Sequence, residues 1–250
     1  MKLKTLSYNI HKGFNVWGLD LTLHKIKEAL RETQADLLFL QEVVGEHQTW
    51  SKKYKDYPLQ SQFEFLADQA WPHYAYGKNA IFPTRNHGNA ILSRYPIQSF
   101  ENYNISLHRW ESRGLLFAEI YIPEIRKTIN AATTHINLRE SDRVQQIKHI
   151  CDILSKRVSP DKDLILTGDF NDWLQRASTP LRNRLFLEEA HFSQHGHYGS
   201  TFPSILPLLN LDRVYSRNHH VTHATILKDS PWADLSDHLP LLVEFELKED

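Results

Sequence analysis

Cysteine is almost missing from this chain: Cys151 stands alone among 250 residues. A lone thiol cannot close an internal disulfide. It also falls on a helical apolar stripe, where packing rather than catalysis is its expected work. Long hydrophobic runs are missing too. No stretch approaches the ~20 apolar residues of a membrane span. The run Leu3–Tyr8 behind Met1 is broken by lysine and too short for a signal-peptide core. These absences lead to the expectation of a cytoplasmic protein without stable membrane insertion.

Charge of one sign is not in excess either, with Lys+Arg 29 against Asp+Glu 30. A clamp that grips long duplexes regardless of sequence draws its affinity from surplus cations. Near-neutrality argues against such a clamp but leaves room for a local basic rim. The 15 histidines would add positive charge in mild acid. Pro/Gly/Ser-rich linkers, charge blocks and internal repeats are all lacking, and the length is within reach of one core. A single domain over residues 1–250 is the expectation.

What is present is a set of short, buried-looking runs that stop at a polar residue. Lys4–Tyr8 leads to Asn9 and His11, and Asp36–Leu40 to Gln41 and Glu42. Lys127–Thr134 leads to His135 and Asn137, and Leu164–Thr167 to Gly168, Asp169 and Asn171. Each reads as a strand bounded by turn residues, so the polar ends point to one shared rim.

Two amphipathic helices are expected between the strands. One spans Asp20–Gln34, with Leu23, Ile26 and Leu30 on one face and Asp20 as its N-cap. The other spans Ser141–Val158, striped by Val144, Ile147, Cys151, Leu154 and Val158. Thr179-Pro180 reads as a capped helix start. His191–Leu211, rich in Gly, His and Pro, reads as a long loop. Hairpin-like stretches at Asn89–Ser93 and Leu115–Ile122 favour an α/β sandwich of two sheets flanked by helices. The rival, a doubly wound parallel sheet, lacks a glycine-rich dinucleotide fingerprint.

Chemistry concentrates in a few of these turns. In Leu164-Ile165-Leu166-Thr167-Gly168-Asp169-Phe170-Asn171, glycine permits a sharp turn that presents Asp169 and Asn171 together. A carboxylate there can orient or deprotonate water, and an amide can donate to a phosphate oxygen; the plain alternative is an Asx turn. His238, in Ser236-Asp237-His238, can carry charge or a proton near neutral pH but needs an acidic partner. Asp212, an acid amid a strand-like run, is a candidate for that partner; a salt bridge to Arg213 is the alternative. Glu42 suits a hard cation such as Mg²⁺, with Asn9 as a supporting amide, unless it merely ends a strand in solvent.

Taken together, Ser7-Tyr8-Asn9, Leu40-Gln41-Glu42, Gly88-Asn89-Ala90-Ile91-Leu92-Ser93-Arg94-Tyr95-Pro96-Ile97, Thr134-His135-Ile136-Asn137-Leu138, Thr167-Gly168-Asp169-Phe170-Asn171, Leu211-Asp212-Arg213 and Ser236-Asp237-His238 closely resemble the endonuclease/exonuclease/phosphatase (exonuclease III/DNase I-like) superfamily, and within it the bacterial YbhP-like subgroup. The likeness runs from Thr5 to about Glu246.

It implies a four-layer αββα sandwich of two packed mixed sheets, with the site at one edge. It also implies Mg²⁺-dependent hydrolysis of phosphate esters, Mn²⁺ being a possible substitute. By position, Glu42 resembles the metal ligand, Asn9 its helper and Asp237 a supporting aspartate. Asp169 resembles the residue acting on the attacking water, and Asn171 the phosphate-binding amide. Asp212 resembles the partner of the essential histidine, here His238, and His135 a second phosphate-contacting histidine. Whether Asp169 or the Asp212–His238 pair is the base stays open.

Nucleic acid, DNA or RNA, is the expected substrate. The alternatives are lipid head groups or small phosphate esters, and an inactive binding protein. Nothing in the sequence specifies a protein partner. Arg113-Gly114 remains undecided between a structural ion pair and phosphate binding, and His87 reads as a loop histidine sooner than a site residue. Also undecided are the aromatics Tyr76, Phe82, Trp110, Trp173, Phe202 and Trp232, which can stack bases, meet a lipid head group or simply pack.

Overall fold

The computed structural model describes residues 1–47, 49–82 and 85–247. Among them the strands are β1 (Lys2–Asn9), β2 (Leu37–His47), β3 (His73–Phe82), β4 (Arg85–Ser93), β5 (Ile97–Asn104), β6 (Gly114–Ile122), β7 (Lys127–His135), β8 (Leu164–Asp169), β9 (Glu188–Glu189), β10 (Asp212–Arg217), β11 (His220–Ile226) and β12 (Leu241–Glu246). The helices are α1 (Leu23–Glu32), α2 (Trp50–Lys53), α3 (Gln62–Ala67), α4 (Glu140–Arg157), α5 (Ser178–Leu185), α6 (Ala190–His195) and α7 (Trp232–Leu235). None is long and apolar enough to cross a membrane.

The strands form two six-stranded sheets, ordered β11-β12-β1-β2-β4-β3 and β5-β6-β7-β8-β10-β9. Each mixes directions: β1–β2 and β7–β8 are parallel, whereas β1–β12 and β8–β10 are antiparallel. Side chains alternate between faces along a strand, and that alternation builds three apolar layers. Leu3, Phe39 and Val243 of one sheet meet Ala118, Ile165 and Val214 of the other between the sheets. Leu6, Leu38 and Leu40 face α1, α3 and α7 on one outer side, through Ile26, Leu66 and Leu235. Leu164, Leu166 and Ala132 face α4 and α5 on the other, through Ile150 and Leu181. Three layers between four slabs give the αββα sandwich.

The interior between the sheets changes character along the strands. The positions that alternate with Leu3, Phe39 and Ala131 become Ser7, Gln41 and Thr133, all buried. The Gln41 amide donates to Thr133 Oγ1 at 2.9 Å, tying the sheets together beneath the rim. Gly168 has φ +142°, and a Cβ there would lie 2.0 Å from the Thr134 carbonyl oxygen. Only glycine lets β8 lie against β7 at this point.

Helix ends depart from the sequence reading. α1 begins at Leu23 and ends at Glu32. The Asp20 carboxylate accepts from the Asn15 amide instead of capping the helix. α4 starts at Glu140, and Val144 is exposed at 56% while Ile150 takes its place in the stripe. α5 starts at Ser178, so Pro180 sits at its third position, where its missing N–H is one of the unpaired donors of any helix start. The stretch 191–211 is only partly loop. Its start belongs to α6, which Glu189 caps by accepting from Phe192 N at 2.6 Å.

His219, in the turn between β10 and β11, has its side chain 1% exposed and lies 5.4 Å from the Phe245 ring. Burial lowers its pKa to about 4, against the pull of Asp163. The unfolded chain therefore takes up this proton near pH 6.5 and the folded chain only near 4. Protons favour unfolding across that window: the contribution is whole above 6.5 and is lost as pH falls towards 4. We expect wild type to lose roughly 3 kcal/mol more stability than His219→Leu between these limits. Urea melts of both proteins at each pH check this, and parallel losses would exclude His219 as the cause.

Candidate active site

The site lies where the polar strand ends converge. Asn9, His135, Asp169 and Asp212 continue the alternation of Leu3, Ile129, Ile165 and Val214, so the pattern that builds the core delivers all four to the seam between the sheets. Register places His135 and Asp212 on either side of Asp169, on β7 and β10.

Asp169 is the hub. Its Oδ2 accepts from Asn9 Nδ2 at 3.1 Å, and its Oδ1 from the Asn171 backbone N–H at 3.0 Å. His135 Nε2 and His238 Nε2 stand 3.4 and 3.6 Å from the same Oδ2. Asn171, at φ +47°, turns back so that its side-chain amide donates to the Ile136 carbonyl at 2.9 Å.

His238 is held from the other side by Asp212, whose Oδ2 lies 2.8 Å from His238 Nδ1. Thr201 Oγ1 donates to that oxygen at 2.5 Å, and the Phe202 ring packs 4.9 Å from the imidazole. Asp212 thus pairs with His238. Arg213 turns away, donating to the Asn210 and Asp172 carbonyls and stacking on Tyr198.

The charges follow from this packing. Burial pushes Asp169 up to about 6, Asp212 adding to the rise while His238 opposes it. Burial disfavours charge on His238, but Asp212 and Asp169 outweigh it and raise its pKa to about 10. His135 is buried beside Arg113, and both effects hold its pKa well below the usual value. At neutral pH His238 is therefore an imidazolium facing Asp212 and Asp169, with the neutral His135 imidazole alongside.

Glu42 reaches the cleft by a different route. It does not close its strand, since β2 continues to His47. Its pairing with β4 slips between Leu40 and Val43, and Glu42 itself has φ +57°. This bulge inserts a residue and re-aims the side chain. Lys12 Nζ then donates to Glu42 Oε2 at 2.5 Å. Burial opposes ionisation, yet His135 and Lys12 bring the Glu42 pKa down to about 2. With His135 neutral, Lys12 and His11 remain on the lowering side.

A cleft of 570 Å³ joins these groups, lined among others by Asn9, Glu42, Asp169, Asn171, Asp237 and His238. His135 also lines it, whereas Asp212 lies behind His238 with its side chain 0% exposed. Asp237 is half-buried, its Oδ1 3.8 Å from His11 Nδ1 and accepting from Ser236 Oγ at 3.3 Å. His87 lies on β4 and also lines the cleft, as does Arg113, whose Nε donates to Asn137 Oδ1 at 3.1 Å.

Four of the six singled-out aromatics line the cleft: Phe82, Trp110, Trp173 and Phe202. Tyr76 instead stacks on Phe63, and Trp232 packs edge-on against Tyr8. Lys12 and Thr201 escaped the sequence reading.

Among the described residues, two clusters bring three metal-type ligand atoms within 4.8 Å of one another: Asp169–Asp212–His238 and His108–Glu111–Asp142. In the first, both His238 imidazole nitrogens already face carboxylates, Asp212 on one side and Asp169 on the other. In the second, the Asn137 amide donates to both carboxylates. Glu42 is the acid whose partner is a cation in the open cleft.

The chain is similar to known proteins along nearly its whole length. The chain is 40% identical over 245 residues to the uncharacterised protein YbhP of Escherichia coli strain K12, covering 98% of this chain and 96% of that one. The human nocturnin catalytic domain, solved with bound sulfate, superposes with a TM-score of 0.77 at 17% identity, covering 99% of this chain and 94% of that one. A Bacteroides thetaiotaomicron mannosyl-6-phosphatase superposes at 0.73 and 17% identity, covering 98% and 100%. At such identities the two structures speak for the fold alone. The family model described as Endonuclease/Exonuclease/phosphatase family matches residues 6–238, and the chain belongs to that family.

Proposed function

We propose that this protein is a divalent-metal-dependent phosphoesterase that hydrolyses phosphodiester bonds, with nucleic acid as the substrate. The observation that carries the reading is the His238 ring, fixed between Asp212 and Asp169 in a cleft also lined by Asn171 and Glu42. An anionic phosphate meets fixed positive charge there, beside a carboxylate able to hold water.

Each residue has a stated task. A His238 pKa of about 10 makes it a poor base at neutral pH and a good donor to a non-bridging oxygen. Asp212 keeps it oriented. That favours Asp169 as the group that aligns the attacking water and accepts its proton. The Asn171 amide and neutral His135 donate to phosphate oxygens without adding charge. Asn9 steadies the Asp169 carboxylate.

For the ion, Glu42, Asn9 and Asp237 offer oxygen donors only, the preference of Mg²⁺ or Mn²⁺. Lys12 already sets a cation on Glu42, so the position suits positive charge. Bound there, a divalent ion supplies charge neutralisation for the phosphate and its leaving oxygen.

The aromatic rim favours nucleic acid. Trp110 is 85% exposed and stacks on His108, while Trp173 covers the Arg143 guanidinium. Planar faces at a phosphate site suit bases. The bounded cleft and the net charge of −1 favour a second reading, a small phosphate ester.

The test is hydrolysis of bis(p-nitrophenyl) phosphate, single-stranded DNA, RNA and a sugar phosphate, with Mg²⁺ and then with EDTA. We expect turnover of the diesters with metal and a loss of at least about a hundredfold with EDTA. Equal rates in EDTA would overturn metal dependence. Turnover of the sugar phosphate alone would replace the nucleic-acid assignment with the second reading.

A further inference from the structure

We propose that Lys12 is a built-in counter-ion that competes with the divalent cation for Glu42 and thereby sets how tightly the site binds metal. The inference rests on the reading of Glu42 as a metal ligand and adds a residue to it.

Three features on separate elements make this contact a constructed one. Lys12 lies in the short 3-10 turn after β1 with φ +57°, and Glu42 lies at the β2 bulge, also with φ +57°. Neither conformation is favoured for a long side chain. The Lys12 backbone and the strand just past Glu42 are tied to one buried side chain. Gln62 Oε1 accepts from Val44 N at 2.9 Å, and Gln62 Nε2 donates to the Lys12 carbonyl at 2.6 Å. Gln62 is itself 0% exposed and opens α3, whose capping box between Ser61 and Glu64 fixes that end. One amide thus bolts the lysine backbone to the strand that carries the glutamate, and the ammonium lands 2.5 Å from the carboxylate.

The consequence is an exchange of cations. Lys12 and Glu42 side chains are 36% and 20% exposed, so their pairing is accessible from the cleft. A divalent ion taking Glu42 must displace the ammonium. The lysine stem is flexible and its head can turn into the cleft beside the phosphate site. Until then it pairs directly with a carboxylate that His11 and Arg113 act on only through space. Binding of the ion therefore includes breaking the Lys12–Glu42 pair and leaving a positive charge nearby, and both lower affinity.

The experiment measures Mn²⁺ binding directly, by calorimetry and by loss of the free-ion EPR signal, without any turnover. Wild type, Lys12→Met, Lys12→Arg and Glu42→Gln are compared, with circular dichroism melts to confirm folding. We expect Lys12→Met to bind Mn²⁺ about tenfold more tightly and Lys12→Arg to stay near wild type. Glu42→Gln should lose most of its affinity. Unchanged or weaker binding by Lys12→Met, with Glu42→Gln impaired, would overturn the counter-ion role while leaving the metal assignment intact. Unchanged binding by Glu42→Gln would remove the ligand assignment and the proposal with it.

Discussion

Asp169→Asn is expected to cut kcat on an activated phosphodiester by about a thousandfold without lowering the melting temperature. The amide keeps the shape and an oxygen that can accept from the Asn171 N–H, now made at 3.0 Å, while its NH2 in place of Oδ2 gives up the bond from Asn9. It cannot take a proton from water. Folding should not suffer, because Asp169 is 1% exposed and burial already raises its pKa. Replacing a reluctant charge with a neutral group removes a desolvation cost. The pH profile carries the same signature. Asp169 must be ionised to act, so the acid limb of kcat/KM should lie at or below about pH 6, bound cation pulling it lower. A variant within tenfold of wild type at saturating Mg²⁺ would remove Asp169 from the water-activating role.

Much of this architecture was legible from short apolar runs that stop at polar residues. Lys4–Tyr8, Lys127–Thr134 and Leu164–Thr167 lie inside β1, β7 and β8, because a strand buried on both faces writes itself as an apolar run. Short helices were harder. α3 has only six residues, too few for a periodic stripe, and its signal is the Ser61–Glu64 capping box. α6 was lost in a Gly- and His-rich stretch because its cap is a glutamate, an uncommon choice at that position. Asp20 misled for the opposite reason. Its residue type suits a cap, but a local amide from Asn15 claimed it first.

The site divided in a similar way. Asn9, His135, Asp169 and Asp212 are foreseeable as a group, since strand periodicity sends each to the same face as the core residues before it. Their mutual distances are not, because the β8–β10 and β7–β8 registers are long-range facts. Glu42 shows the limit. Continued alternation after Leu38 and Leu40 would send it to the outer face with α1 and α3, and only a bulge brings it into the cleft. Nothing local in Leu40-Gln41-Glu42 announces that bulge. Lys12 and Thr201 were invisible for a related reason. Each sits in a turn or loop whose path is set by contacts far away in sequence: Gln62 for one, Asp212 for the other.

His238→Ala should also abolish turnover, by a thousandfold or more, but with a cost in stability that Asp169→Asn does not share. The difference lies in Asp212. Its side chain is 0% exposed and its charge is answered by His238 at 2.8 Å, with Thr201 as a further donor. Removing the imidazolium leaves a buried carboxylate without a cation, which costs on the order of 3–5 kcal/mol. Lost activity in that variant could then reflect a damaged fold as well as a missing donor. The double variant Asp212→Asn/His238→Gln separates the two causes. Both charges are gone, and two amides can still bond to each other and to Thr201. We expect it to recover most of the stability lost in His238→Ala while staying as inactive. Equilibrium urea melts and kcat on the same diester provide the two readouts. If activity returned together with stability, the His238 charge would serve folding alone, and phosphate binding by the imidazolium would have to be abandoned.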